Sequence, residues 1–172
     1  MNTTVVSYSR TGNNRALAES LATALDARHI RVAEDQERRI GTIIADIVFR
    51  RNPKIRYEPD EPDPADRLVF VAPVWIGQVA TPLRRCFAAL RGRLDRCAFV
   101  TISGGADGPN ETIGEELARR LGREPEAIVD LAIAALLPAD PAPTRKVTSA
   151  YRVTNADVAA LTQSVLKRIK AS

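Results

Sequence analysis

Six consecutive residues, Ser9-Arg10-Thr11-Gly12-Asn13-Asn14, bring hydroxyls, amides, a cation and a glycine together. They lie between a short apolar run, Thr4-Val5-Val6, and a segment of good helix formers, Ala16, Leu17, Ala18, Leu21 and Ala22. A helix start exposes unpaired backbone N–H groups and the positive end of the helix dipole. Hydroxyl and amide side chains around that end make a seat for an anion. Gly12, having no Cβ, lets the backbone turn and approach a ligand closely. An ordinary turn needs a single cap such as Asn13, whereas here Ser9, Thr11, Gly12, Asn13 and Asn14 are all suited to the task. The stretch reads as a phosphate cradle. No Gly-Lys-Ser/Thr follows it, and GxGxxG is absent, so it is neither a Walker A loop nor a dinucleotide fingerprint.

Two further loops have the composition of ligand loops. Pro73-Val74-Trp75-Ile76-Gly77 follows an apolar strand and runs on to Ala80. Ser103-Gly104-Gly105 opens a loop that extends to Pro109. Trp75, placed just past a strand end, is suited to form an aromatic wall. The other candidates are weaker. His29, the only histidine, falls on the polar phase of an alternating segment and is expected to be solvated. Cys86 and Cys97 have neither metal nor CxxC spacing and read as small buried hydrophobes. The acids of the Asn52–Asp66 stretch are separated by prolines and read as a solvated loop without a metal. No catalytic acid or base can be nominated.

Stepping along the chain, strand and helix patterns alternate, as in an α/β domain with a parallel sheet. Strand Thr3–Ser7 leads to a helix from Asn13 to about Ala27, and strand His29–Glu34 to a helix over Glu37–Arg51. Asn52–Asp66, with four prolines, reads as a surface connection. Leu68–Ala72 is a continuous apolar run, the mark of a strand covered on both faces. A helix from Thr81 to Leu90, with Pro82 at its first position, follows. Strand Cys97–Ile102, helix Glu111–Leu121, an apolar strand Ile128–Leu137, the loop Pro138–Arg152 and a helix opened by Thr154-Asn155-Ala156-Asp157 complete the chain. Residues 1–172 therefore read as a single domain, a doubly wound sheet of five parallel strands in the order 2-1-3-4-5 with helices on both faces. In such sheets ligands bind beyond the carboxyl ends of the strands where strand order reverses. The loops 9–14, 73–80 and 103–109 all belong to that end.

The net charge of +4 is spread along the chain. The arginine pairs 38/39, 50/51, 84/85 and 119/120 read as solvated helix faces, and with no nucleic-acid motif or interleaved aromatics they argue against nucleic acid as a partner. No segment has the apolar length of a membrane span and no leader opens the chain, so no membrane is expected and cytoplasmic residence is. The apolar residues Leu131, Ile133, Leu136 and Leu137 at a sheet edge suggest a covered or homo-oligomeric surface.

Ser9-x-Thr11-Gly12-Asn13-Asn14 resembles the phosphate loop of flavodoxins, S/T-x-T-G-x-T, departing at Asn14, where threonine is usual and an amide can still donate. Ala72-Pro73-Val74-Trp75-Ile76-Gly77 followed by Pro82-Leu83-Arg84-Arg85-Cys86-Phe87 is similar to the P-x-W/Y-x-G…P-x-R-x-F segment of flavodoxin-like proteins, and Ser103-Gly104-Gly105 matches their second flavin-flanking loop. The resemblance covers essentially the whole chain. It implies the flavodoxin-like fold, FMN as cofactor, and site residues Ser9, Arg10, Thr11, Gly12, Asn13 and Asn14 at the phosphate, with Pro73, Val74, Trp75, Ile76, Gly77, Ser103, Gly104 and Gly105 along the ring. It also implies redox work: an oxidoreductase passing reducing equivalents from NAD(P)H to a quinone or other small acceptor, a single-electron carrier serving a redox partner protein, or a flavin-free interaction module. Arg10, Arg84 and Arg85 near the expected ring favour the reduced flavin and hence the first of these, partly offset by Asp107 and Glu111.

Overall fold

The computed structural model describes residues 2–34 and 53–170. The main sheet is built from β1 (Thr3–Ser7), β2 (Arg28–Glu34), β3 (Ile55–Glu58), β4 (Arg67–Val71), β7 (Arg96–Ser103) and β8 (Ala127–Ala132). Its order is β3-β2-β1-β4-β7-β8. Five of these strands are parallel, in the order expected from the sequence; β3 is added at one edge, antiparallel to β2, with Val32 opposite Tyr57. The Asn52–Asp66 stretch thus carries a strand where only a surface connection was expected. Its prolines flank Ile55–Glu58 instead of interrupting it, and an edge strand tolerates such neighbours. The helix expected over Glu37–Arg51 lies outside the described residues.

The remaining elements are α1 (Asn13–Ala24), a hairpin of β5 (Val74–Trp75) and β6 (Gln78–Val79), α2 (Thr81–Leu90), α3 (Ile113–Leu121), α4 (Arg145–Ala150) and α5 (Asn155–Lys170). The last strand ends at Ala132, five residues before the expected limit, and the chain turns into a 3₁₀ segment at Ile133–Leu136. A continuous apolar run does not distinguish strand from a buried turn of helix, which is why Ile133 and Leu136 were misplaced. Leu131 and Ile133 are core residues against which Leu136 and Leu137 pack, so that run is largely used within the chain.

Alternation along the central strands splits the core into two layers. Val6, Leu68, Phe70, Cys97 and Phe99 face α2 and α3, with Phe70 and Phe87 in an edge contact at 4.8 Å. Val5, Val69, Val71, Ala98 and Val100 face α1 and α5. The loops 9–14, 73–80 and 103–109 emerge at the carboxyl ends of β1, β4 and β7. Strand order reverses between β1, which pairs with β2 on one side, and β4 on the other. Among the described residues no helix is long and apolar enough to cross a membrane.

Candidate functional site

The candidate cradle lies where β1 passes into α1. Tyr8 N–H continues the ladder to Val71 O at 3.0 Å, and the chain then leaves the sheet. Gly12 N–H donates to Ser9 Oγ at 3.1 Å, closing the loop on itself while leaving the Ser9 hydroxyl proton free to donate outward. Gly12 has φ +97°, and a Cβ built there would meet nothing within 4 Å, so the space over the loop is open to a ligand. Ala16 N–H reaches Gly12 O at 2.9 Å. Helix geometry gives Asn13, Asn14 and Arg15 N–H no intrahelical acceptor. Arg10 and Thr11 are exposed beside them.

The two asparagine side chains are turned away from this space. Asn13 Nδ2 donates to Tyr151 O at 3.0 Å, and its Oδ1 accepts Val153 N–H at 3.2 Å. Asn14 Oδ1 accepts Ile102 N–H at 2.9 Å, and its Nδ2 donates to Ile102 O at 3.4 Å. Both side chains are buried. At the helix start they leave only backbone N–H groups, not the amide donors expected from their type, because backbone at the end of β7 and in the 151–153 connection takes up those amides. Asn13 is not the cap either; Gly12 holds that position.

The 73–80 loop is a hairpin. Ala80 N–H donates to Pro73 O at 3.1 Å at its base, and Val74 and Trp75 pair with Val79 and Gln78. Ile76 and Gly77 form the two-residue tip with φ +50° and +72°. Positive φ at both positions is the requirement of a type I′ turn. Glycine accepts it readily, whereas a β-branched residue does so only under strain, and Ile76 is in addition 73 % exposed. Trp75, half-buried, meets Tyr8 edge to face with centroids 5.8 Å apart and planes at 84°. Tyr8 is tied to Glu34 through its hydroxyl. The 9–14 turn and Trp75 are therefore neighbours at one end of the sheet.

The third loop closes the other side. Ser103, Gly104 and Gly105 are half-buried. Gly104 O accepts Ala134 N–H at 3.1 Å, and the buried Thr148 of α4 packs on Gly104, where a Cβ would lie 3.1 Å from its Oγ1. Gly105 has φ +72° and so little room that a Cβ would fall 2.4 Å from Ala132 Cβ. Asp107 accepts from Arg145 Nε at 2.6 Å, linking loop and α4 at the surface. Gly77 faces the same loop, with a built Cβ 3.9 Å from Asn110 Oδ1. Asn110 Nδ2 is buried there with no partner among the described residues.

Three features escaped the sequence reading. Arg84, expected on a solvated face, is 2 % exposed. Its Nε donates to Val79 O at 3.1 Å and its Nη2 to Gln78 Oε1 at 2.8 Å, pinning the hairpin to α2. Burial lowers its pKa to about 10, helped by Arg120 and opposed by Glu116, so it remains a cation beneath the hairpin at neutral pH. His29, expected in solvent, is half-buried with Nε2 2.8 Å from Ser7 Oγ, and burial lowers its pKa. A cavity of about 390 Å³ flanks the cradle on the β2 side, lined by Ser9, Arg10, Arg15, Arg31, Glu34 and Glu58 among others; Trp75 does not line it. None of these follows from local pattern: His29 and the cavity depend on residues distant in sequence, and Arg84 on the 74–79 hairpin folding back over α2. The thiols behave as expected: burial pushes Cys86 up to about 12 and Cys97 up to about 11, leaving both protonated.

No protein-family model and no curated protein matches the chain. Solved structures do. A flavoprotein of Lactobacillus acidophilus NCFM in complex with FMN matches with a TM-score of 0.63 at 18% identity, covering 75% of this chain and 92% of that one. The apo-form of the flavoprotein from the same organism matches with a TM-score of 0.59 at 18% identity, over 78% of this chain and 94% of that one. A protein of Bacteroides eggerthii DSM 20697 matches with a TM-score of 0.64 at 12% identity, over 96% and 98% of the two chains. With the 2-1-3-4-5 order of its parallel strands and the loops gathered at their carboxyl ends, the chain has the flavodoxin-like fold.

Proposed function

We propose that this chain binds FMN and uses it as an oxidoreductase, passing reducing equivalents from NAD(P)H to a quinone or another small acceptor. The observation that carries the reading is the Tyr8–Trp75 contact, which sets an aromatic wall directly beside an open helix start with unpaired N–H groups. The match to a flavoprotein in complex with FMN supports the choice of ligand. The residues present fit such a group. Open space above Gly12 admits a phosphate, and the orphaned Asn110 amide lies at the seam of the two loops that would flank the ring.

In this reading Ser9 and Thr11 hydroxyls and the N–H groups of residues 13–15 bind the phosphate, with Arg10 adding positive charge. Trp75 covers the ring, and backbone around Gly77, Gly104 and Gly105 fixes its polar edge. Bound FMN supplies hydride and electron transfer chemistry. The protein's part is to orient the ring, shield it from water and set the local charge. Arg84, held as a buried cation under the hairpin, favours an electron-rich ring. No side chain is assigned as proton donor, because hydride exchange depends chiefly on positioning.

The test is anaerobic mixing of the FMN-loaded protein with NADH and NADPH. Rapid bleaching of the visible band is the expected result. A yellow protein that neither nucleotide bleaches would be a carrier between redox proteins, contradicting the reductase assignment.

A further inference from the structure

β4 ends at Val71, paired with Val100, and Val100 O accepts the last N–H from that side, Ala72 N, at 3.1 Å. Two residues further along β7, the period of the strand aims the Ile102 N–H and C=O the same way, past the end of β4. Asn14 fills the gap. Its amide has the donor and acceptor of a peptide group, and it bonds both backbone atoms of Ile102 from a position 3 % exposed. Asn14 thus stands in for the missing residue of β4.

The consequence is a mechanical link. Asn14 belongs to the first turn of α1, whose free N–H groups form the cradle, and Ile102 immediately precedes Ser103-Gly104-Gly105. The neighbouring Asn13 reaches the same loop by a second route. It holds the backbone at Tyr151 and Val153, just after α4, and α4 rests Thr148 on Gly104. We propose that Asn14 is a positioning residue that sets the 103–105 loop according to the state of the anion seat, so that phosphate and ring are recognised jointly and not by independent halves of the site. This rests on the FMN reading above and assigns the Asn14 side chain a role apart from ligand contact.

Riboflavin, which has the ring without the phosphate, separates the two roles. Flavin fluorescence titrations with FMN and with riboflavin are run on the wild type and on Thr11→Val, Asn14→Leu and Asn14→Thr. Loss of a buried polar partner predicts a weakening of about tenfold for riboflavin in both Asn14 variants. Thr11→Val, by contrast, weakens FMN and leaves riboflavin unchanged. Asn14 variants that bind riboflavin as the wild type does would overturn the proposal.

A measurement on the wild type alone guards against variants that fold poorly. Inorganic phosphate should slow hydrogen exchange at the Ile102 and Gly104 amides, and no slowing would also overturn the link. A wild type that binds neither flavin removes the FMN reading, and the exchange result then distinguishes a link without a flavin from no link at all.

Discussion

Gly105 is the position at which geometry makes the sharpest demand on sequence. Its φ of +72° costs an alanine about 1–2 kcal/mol through left-handed strain alone. The added Cβ would lie 2.4 Å from Ala132 Cβ and 3.3 Å from Ala132 Cα, distances that force backbone or strand to move. Overpacking of this kind adds about 1–3 kcal/mol, so Gly105→Ala should lose about 2–5 kcal/mol in urea unfolding. Gly12→Ala is the control. Its φ of +97° imposes similar strain, but nothing lies within 4 Å of the new Cβ, so the loss should stay near 1–2 kcal/mol. Placing Gly105→Ala in an Ala132→Gly background removes the colliding methyl and should bring its cost down towards that of Gly12→Ala. Equal losses at the two glycines, or no rescue by Ala132→Gly, would refute the account of how the third loop is held against β8.

Other positions give independent expectations. Ile76→Asn relieves a strained, exposed tip residue in a turn that favours Asn-Gly and should stabilise the fold by about 1 kcal/mol in urea unfolding. Arg84→Met leaves Val79 O buried without its donor and should cost about 1–3 kcal/mol, with a red shift in the emission of Trp75, the only tryptophan. His29 carries a pKa below its ordinary 6.5, because burial disfavours its charged form and Arg31 adds to this against the opposing effect of Glu19. Its contribution to stability is therefore complete above pH 6.5 and lost as pH falls from there through the folded-state pKa. Subtracting the pH–stability profile of His29→Gln from that of the wild type should isolate that loss.

Much of the framework was legible because it rests on local periodicity. The two-sided burial of Leu68–Ala72 and the hydroxyl-rich turn before Ala16 each point to one arrangement, and together they fix the end of the sheet at which the loops gather. What was not legible depends on tertiary partners, most of them far along the chain. Asn13 and Asn14 have the composition of anion ligands, but unpaired backbone at residues 102, 151 and 153 claims their side chains. Arg84 reads as one half of a surface arginine pair until the hairpin folds over it. The strand at Ile55–Glu58 is too short, and too close to prolines, to declare itself without the edge of β2 to pair with.

Addition of FMN to the purified protein, followed by flavin and tryptophan emission, tests the central assignment most directly. Stoichiometric quenching of both signals, with the yellow colour retained through desalting, is the predicted result, since phosphate cradle and Trp75 would hold one molecule. Unchanged emission of both fluorophores at saturating FMN would contradict it.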